Sequence, residues 1–203
     1  MKSTESPSRF LVFELDVKFW AVSPPDVATG RPPRCPKCDA PGCEAGRVVL
    51  HGHGQRERRV WVQHVPDGQV VDLVVPLRRY ACQRCRAVLT VGPRGLLPRR
   101  HYSAAVVALA LWLWAVHERS DAAVRAKLCA VDERGLSRPE RWTTLRRWAR
   151  AARDGALWVR PAVDPGWTLR SCAGRVARWL RSLGDPAAAS EEARLLSGVA
   201  HAR

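Results

Sequence analysis

Two Cys-x-x-Cys pairs, Cys35-Pro-Lys-Cys38 and Cys82-Gln-Arg-Cys85, constrain this 203-residue chain more than any other feature. Each pair can form a knuckle whose two thiolates point at one ion, and tetrahedral zinc is fully satisfied by four of them. Such a closed site leaves no position for water, so the expected cofactor is one structural Zn2+, not a catalytic one. Between the pairs, 59–65 and 70–80 are rich in Val and aromatic residues. They are joined by Pro66-Asp67-Gly68-Gln69, whose Asp-Gly step suits a hairpin turn that folds the knuckles together. Cys43, His51 and His53 are near enough in sequence to substitute as ligands; the reading taken is that Cys43 is a bystander and the histidines are surface residues. Seven cysteines, an odd number, argue against a disulfide framework. Cys129 and Cys172 fall on apolar helix faces and are expected in the core.

The rest of the N-terminal half reads as β structure. Residues 1–8 are polar and expected to be loose. From Phe10 to Trp20 the sequence alternates, with Phe13, Leu15, Val17 and Phe19 on one face of a half-buried strand. A Pro- and Gly-rich loop, 23–34, leads into the first knuckle. Pro76 interrupts the second hairpin strand and predicts an edge position or a bend. Pro93, Gly95 and Pro98 punctuate a linker ending in Arg99-Arg100-His101, with His101 a candidate phosphate contact.

From Ser103 onward the periodicity is helical. Ser103 caps a helix to about His117, which lies where a cation suits the helix C-terminus. Ser120 caps a second with a Val124, Leu128, Val131 stripe, running to Arg134 or stopping near Cys129. Gly135 is a stop signal, and Ser137 and Glu140 form a capping box with Pro139 in the first turn of a third helix. A fourth fits 169–183 with Gly184 ending it, and Asp185-Pro186 opens a short C-terminal helix. The longest apolar run, 104–116, is too short for a bilayer, which takes about 20 residues. No secretory signal is visible, and the expected location is cytoplasmic, with the nucleoid.

Lys and Arg number 34 against 19 Asp and Glu, a net +15. Both halves carry the excess, so no single tail explains it, and nucleic acid is the default partner of such a field. The chain has no Ile, no Asn and four Lys, a bias typical of GC-rich coding. On the third helix Trp142, Leu145, Trp148, Ala149 and Ala152 cluster on one side. Thr143, Arg147 and Arg150 fall opposite, flanked by Thr144 and Arg146. Such a helix can bury Trp and Leu while laying Thr and Arg in a major groove. Arg99, Arg100 and Arg153 could grip phosphates. Arg47, Arg56, Arg58 and Arg59 near the hairpin either face phosphate or line a solvated edge. No nucleophile–base pair, glycine loop before a helix or His-Glu zinc motif appears, so no enzyme activity is expected.

Cys35-Pro-Lys-Cys38, His51-Gly-His53-Gly, 79–85 (Arg-Tyr-Ala-Cys-Gln-Arg-Cys), 97–103 (Leu-Pro-Arg-Arg-His-Tyr-Ser) and 144–148 (Thr-Leu-Arg-Arg-Trp) resemble the N-terminal part of bacterial insertion-sequence transposases. The resemblance covers roughly 35–153. It implies a zinc ribbon followed by a helix-turn-helix that binds terminal repeats of a mobile element. Those transposases continue into an RNase-H-like domain with three metal-binding carboxylates. Here Asp154, Asp164, Asp185, Glu191 and Glu192 lack a strand context, and the two-metal chemistry of such a domain needs converging carboxylates.

The expected fold is therefore α+β: a zinc-ribbon domain at 9–92, a helix-turn-helix-like DNA-binding domain at 99–154 and a C-terminal helical extension at 155–203. The expected function is zinc-dependent binding of double-stranded DNA without a catalytic domain, transposase-related or transcription-factor-like. The chain could act as a homodimer or with a transposase-like partner. An RNA-associated or protein-docking adaptor, and the non-catalytic partner of a transposase acting in trans, are the alternatives.

Overall fold

The structure is a computed structural model that describes residues 9–63, 68–98, 100–129, 142–158, 162–164 and 166–202. Residues 1–8, the hairpin's Pro66-Asp67, Arg99 and the Gly135, Ser137, Pro139 and Glu140 signals lie outside them. Among the described residues the fold is mixed α+β, with a four-stranded sheet and six helices. The chain divides into two compact units. The first runs through Val60 and resumes from Leu73 to Pro98; the second takes Trp61–Asp72 and the chain after Pro98.

In the first unit β1 (Arg9–Asp16) leads directly into α1 (Val17–Val22). The alternation read through Trp20 therefore breaks at Asp16, whose carboxylate accepts the Lys18 N–H at 2.9 Å and caps the helix. Val17 and Trp20 turn inward, and Phe19, read as a buried-face residue, is 68% exposed. Trp20 is fully buried, its indole N–H donating to the Pro76 carbonyl at 2.6 Å. After a loop, β2 (Cys43–Glu44) and β3 (Arg47–Val48) make a small antiparallel pair. Then β4 (Leu50–Gln63), β5 (Val70–Cys82) and β6 (Val88–Arg94) complete a sheet of order β1-β6-β5-β4. β6 is parallel to β1 and antiparallel to β5.

Three expectations change here. β4 begins nine residues before Arg59, at Leu50. β6 occupies the stretch read as a linker: Val88-Leu-Thr-Val-Gly alternates well enough for a strand, and Pro93 sits near its end. β5 is interior, not an edge strand, because β6 pairs with it. Pro76 is tolerated there because the β5–β6 register runs over Arg78–Ala81, beyond the proline. Gly92 is required at the crossing: a Cβ would stand 2.6 Å from the Phe10 ring and 2.9 Å from Leu77.

The second unit is built on α2 (Ala104–Ala115), which packs against α3 (Asp121–Leu128), α4 (Thr143–Arg153), α5 (Leu169–Ser182) and α6 (Glu191–His201). A helix surrounded on all sides must be apolar all round, and nine of its twelve residues are buried, Trp112 and Trp114 among them. Ser103, Ser120, Thr168 and Ser190 cap α2, α3, α5 and α6 through their hydroxyls. α3 takes the shorter of its two expected lengths and stops at Leu128. α6 opens at Ser190 and not at Asp185-Pro186, where Asp185 instead accepts the Ala187 N–H at 2.8 Å in a local turn. Cys172 is fully buried and Cys129 half-buried, its sulfur 3.6 Å from the Tyr102 hydroxyl. Residues 155–203, read as an extension, group with the preceding helices in this one unit.

Candidate metal centre and basic helix

The two knuckles have the same backbone construction. In the first, Asp39 N–H donates to the Cys35 carbonyl and Cys35 N–H to the Ala40 carbonyl, both at 2.8 Å. In the second, Arg86 N–H donates to the Cys82 carbonyl and Cys82 N–H to the Ala87 carbonyl, both at 2.9 Å. The residue after each second cysteine is left-handed, with φ of 57° at Asp39 and 59° at Arg86. This turn aims both sulfurs of a pair the same way.

The sulfurs of Cys35, Cys38, Cys82 and Cys85 all lie within 4.8 Å of one another. Cys35 and Cys85 are 3.6 Å apart, Cys38 and Cys82 3.7 Å. A tetrahedron with metal–sulfur bonds of about 2.3 Å has edges of about 3.8 Å. The residues fit one tetrahedral ion, consistent with a single structural zinc. When bound, the ion cross-links residues that lie 44 or more positions apart between the pairs and supplies no reaction. Cys43, His51 and His53 are exposed and lie outside this group. The Cys43 sulfur instead accepts from Arg31 at 3.2 Å.

Without an ion the four thiols cannot share their ground equally. Burial opposes ionisation of Cys82, yet N–H groups of Cys85 and Arg84 and the Cys85 and Cys38 thiols bring it down to about 7. At Cys38 the Ala40 N–H favours the thiolate, but burial and bonds to Cys85, Cys82 and Cys35 push it up to about 12. Metal entry must therefore displace protons. Four thiolates around a divalent ion leave two net negative charges. Arg34 pairs with Asp39 and Arg84 with Glu44. Lys37 and Arg86 are exposed beside the cysteines, with no carboxylate partner among the described residues, and offset that charge.

The second candidate site is α4. Leu145, Trp148, Ala149 and Ala152 are buried, and Trp142 packs beside them. Trp142, Trp148 and Tyr102 form an aromatic cluster with centroid distances of 4.9–6.4 Å, extended by Trp61 stacked on Tyr102. These rings fix the helix about its own axis, so its outward face is set by packing. Thr143, Arg146, Arg147, Arg150 and Arg153 are exposed on that face and Thr144 is half-buried. Arg147 donates to the Thr144 hydroxyl at 2.9 Å. Arg146 lies 3.6 Å from Asp121 of α3, and Arg153 2.8 Å from Asp154. Arg100 is half-buried, held below the ordinary arginine value first by burial and then by the charge of Arg147. The Arg100–Arg147 proximity and the Asp121 carboxylate were not read from sequence. Both depend on how the chain entering α2, α3 and α4 meet in space, and no local pattern encodes that.

No protein-family model matches the chain, and neither a curated protein nor a solved structure matches it. Among the described residues no helix is long and apolar enough to cross a membrane.

Proposed function

We propose that the chain is a zinc-stabilised, nucleoid-associated DNA-binding protein, transposase-related or transcription-factor-like, in which α4 enters the major groove. The observation that carries this reading is the division of α4: an apolar face with Leu145 and Ala149 fully buried, and an outward face of Thr and Arg. In a groove, Arg147 and Arg150 can reach base edges, while Arg100 and Arg153 grip phosphates and set the register. The charge of Arg147 acts on Arg100, and a phosphate near the two would be favoured by both. Arg146, tied to Asp121, positions α4 against α3 and serves base readout less. In this reading the cysteine cluster is a zinc ribbon that holds its unit rigid, and α2–α4 are a helix-turn-helix-like reader.

The test is selection of bound duplexes from a random pool, with metal content measured on the same sample. The parent is expected to enrich a motif and carry one zinc per chain. Arg147→Ala with Arg150→Ala should lose about 1–3 kcal/mol per base contact removed and the preference with it. A double variant that keeps the parent's motif and affinity overturns the assignment of α4. A parent that binds RNA in preference to duplex would replace it with the adaptor reading.

A further inference from the structure

A stretch of strand with no apolar side chain to bury needs a reason to be there. Residues 51–59 of β4 (His-Gly-His-Gly-Gln-Arg-Glu-Arg-Arg) contain no aliphatic or large aromatic side chain, and 51–57 are exposed without interruption. β4 ends the sheet order, and along 51–59 its outer side forms no strand pair among the described residues; the one bridge on the strand, Trp61 to Tyr102, lies beyond that stretch. Gly52 lets the Val27 side chain close against the strand, since a Cβ would meet it at 2.8 Å. Gly54, at φ +82°, has nothing within 4 Å of where a Cβ would stand, so its backbone is open to close approach.

The charges here are mostly of one sign. Arg56, Arg58 and Arg59 face one acid, Glu57, with His51 and His53 in the same stretch. Other acids of this unit are engaged elsewhere: Glu14 with Arg94, Asp39 with Arg34, Glu44 with Arg84, and Asp26 with Thr29. Arg58 donates to the Leu97 carbonyl at 2.7 Å and is thereby fixed beside Arg56. Arg56 itself is exposed, with no carboxylate partner among the described residues. Charged side chains are one device that keeps an edge strand from pairing with another.

We infer that the exposed edge of β4, through His51, His53 and Arg56, is a docking surface for the phosphate backbone of duplex DNA. Single-stranded nucleic acid is held largely by bases stacking on aromatic rings, and no Trp, Tyr or Phe stands between 51 and 59. Charge with bare backbone and no stacking platform fits a duplex, whose bases are already stacked. The surface shares its partner with the reading of α4 but none of its residues.

The experiment measures affinity of the zinc-loaded full chain for mixed-sequence duplex across a salt series. His51→Ala with His53→Ala and Arg56→Ala should bind about tenfold more weakly at low salt, equally for all sequences. The slope of log affinity against log salt should become shallower by about 1 per phosphate contact removed. Because Arg56 is exposed, Arg56→Gln alone disturbs no packing and should show part of the loss, and Arg56→Lys should restore it. Unchanged affinity and slope overturn the inference, as does a loss confined to single strands or a parent that does not bind duplex. If Arg147→Ala with Arg150→Ala changes nothing while the β4 variant weakens binding, the α4 reading fails and this one stands. The reverse pattern removes only this one.

Discussion

Asp39 and Arg86 show what the knuckles demand of single residues. Each is left-handed so that the chain can turn back immediately after the second cysteine of its pair. That conformation costs an L-residue about 1–2 kcal/mol, is eased for Asp, and is free for Gly. Asp39 adds an ion pair with Arg34, whereas Arg86 has neither compensation. Arg86→Gly should therefore raise the unfolding free energy of the metal-loaded protein by about 0.5–1 kcal/mol, measured by denaturant titration. A melting midpoint that falls would mean that Arg86's charge beside the thiolates outweighs its backbone strain. The thiols set a second expectation, in pH. In the metal-free fold Cys82 is depressed from its ordinary 9 to about 7, so its contribution to stability is present above pH 9 and lost as pH falls through 7. Cys38 is raised to about 12, so its contribution is present below pH 9 and lost as pH rises through 12. For the metal, protons compete at every cysteine: zinc affinity should drop steeply as pH falls from 8 to about 6, with protons released on loading. Calorimetry in buffers of different ionisation enthalpy checks this, and binding without proton release would contradict it.

At the scale of elements, α5 and α6 cross at two glycines. A Cβ on Gly198 would stand 1.8 Å from the Leu180 carbonyl oxygen, and one on Gly184 1.8 Å from that of Arg194. Backbone has no rotamer with which to yield. Gly198→Ala should force the helices apart and cost about 2–3 kcal/mol or more, read as a lower denaturation midpoint. Stability equal to the parent would mean that the crossing is looser than described. Sequence gave Gly184 a role as helix stop; its second role, letting α6 come close, depends on a partner ten residues away. The caps Ser103, Ser120 and the stripe from Leu169 were legible because capping and amphipathicity are local. β6 was not, because Pro93 and Gly95 resemble linker punctuation until the neighbouring strands are known. α1 was missed for a similar reason: alternation continues in letters through Phe19, while Asp16 had already capped a helix.

At the scale of the whole molecule, the cysteine cluster and the apolar helix α2 belong to different compact units. The first holds the cysteine cluster, and removing the ion should leave four thiols in one small space with nothing to join them. Scanning calorimetry of the full chain should then show a transition that chelator lowers and a second, carried by the helices, that it leaves nearly unchanged. A single transition shifting as a whole would mean that the two units unfold as one. The cysteine cluster itself was fully legible: spacing of two residues within each pair is a local fact, and ion geometry makes the pairing of the two pairs the economical solution. So was the buried face of α4, because 100° per residue follows from helix geometry alone.

The sequence by itself determined the knuckles, the caps and the faces of the helices, since each depends on residues within a turn or two of one another. Only tertiary structure decided that β4 lies at a sheet edge and β5 inside. It likewise decided that the hairpin tip, Trp61–Asp72, groups with the helices and that Arg100 comes under the influence of Arg147. Strand order and long-range charge contacts join residues far apart in the chain. They are chosen by the total burial they permit, a sum over the whole fold that no short stretch of sequence contains.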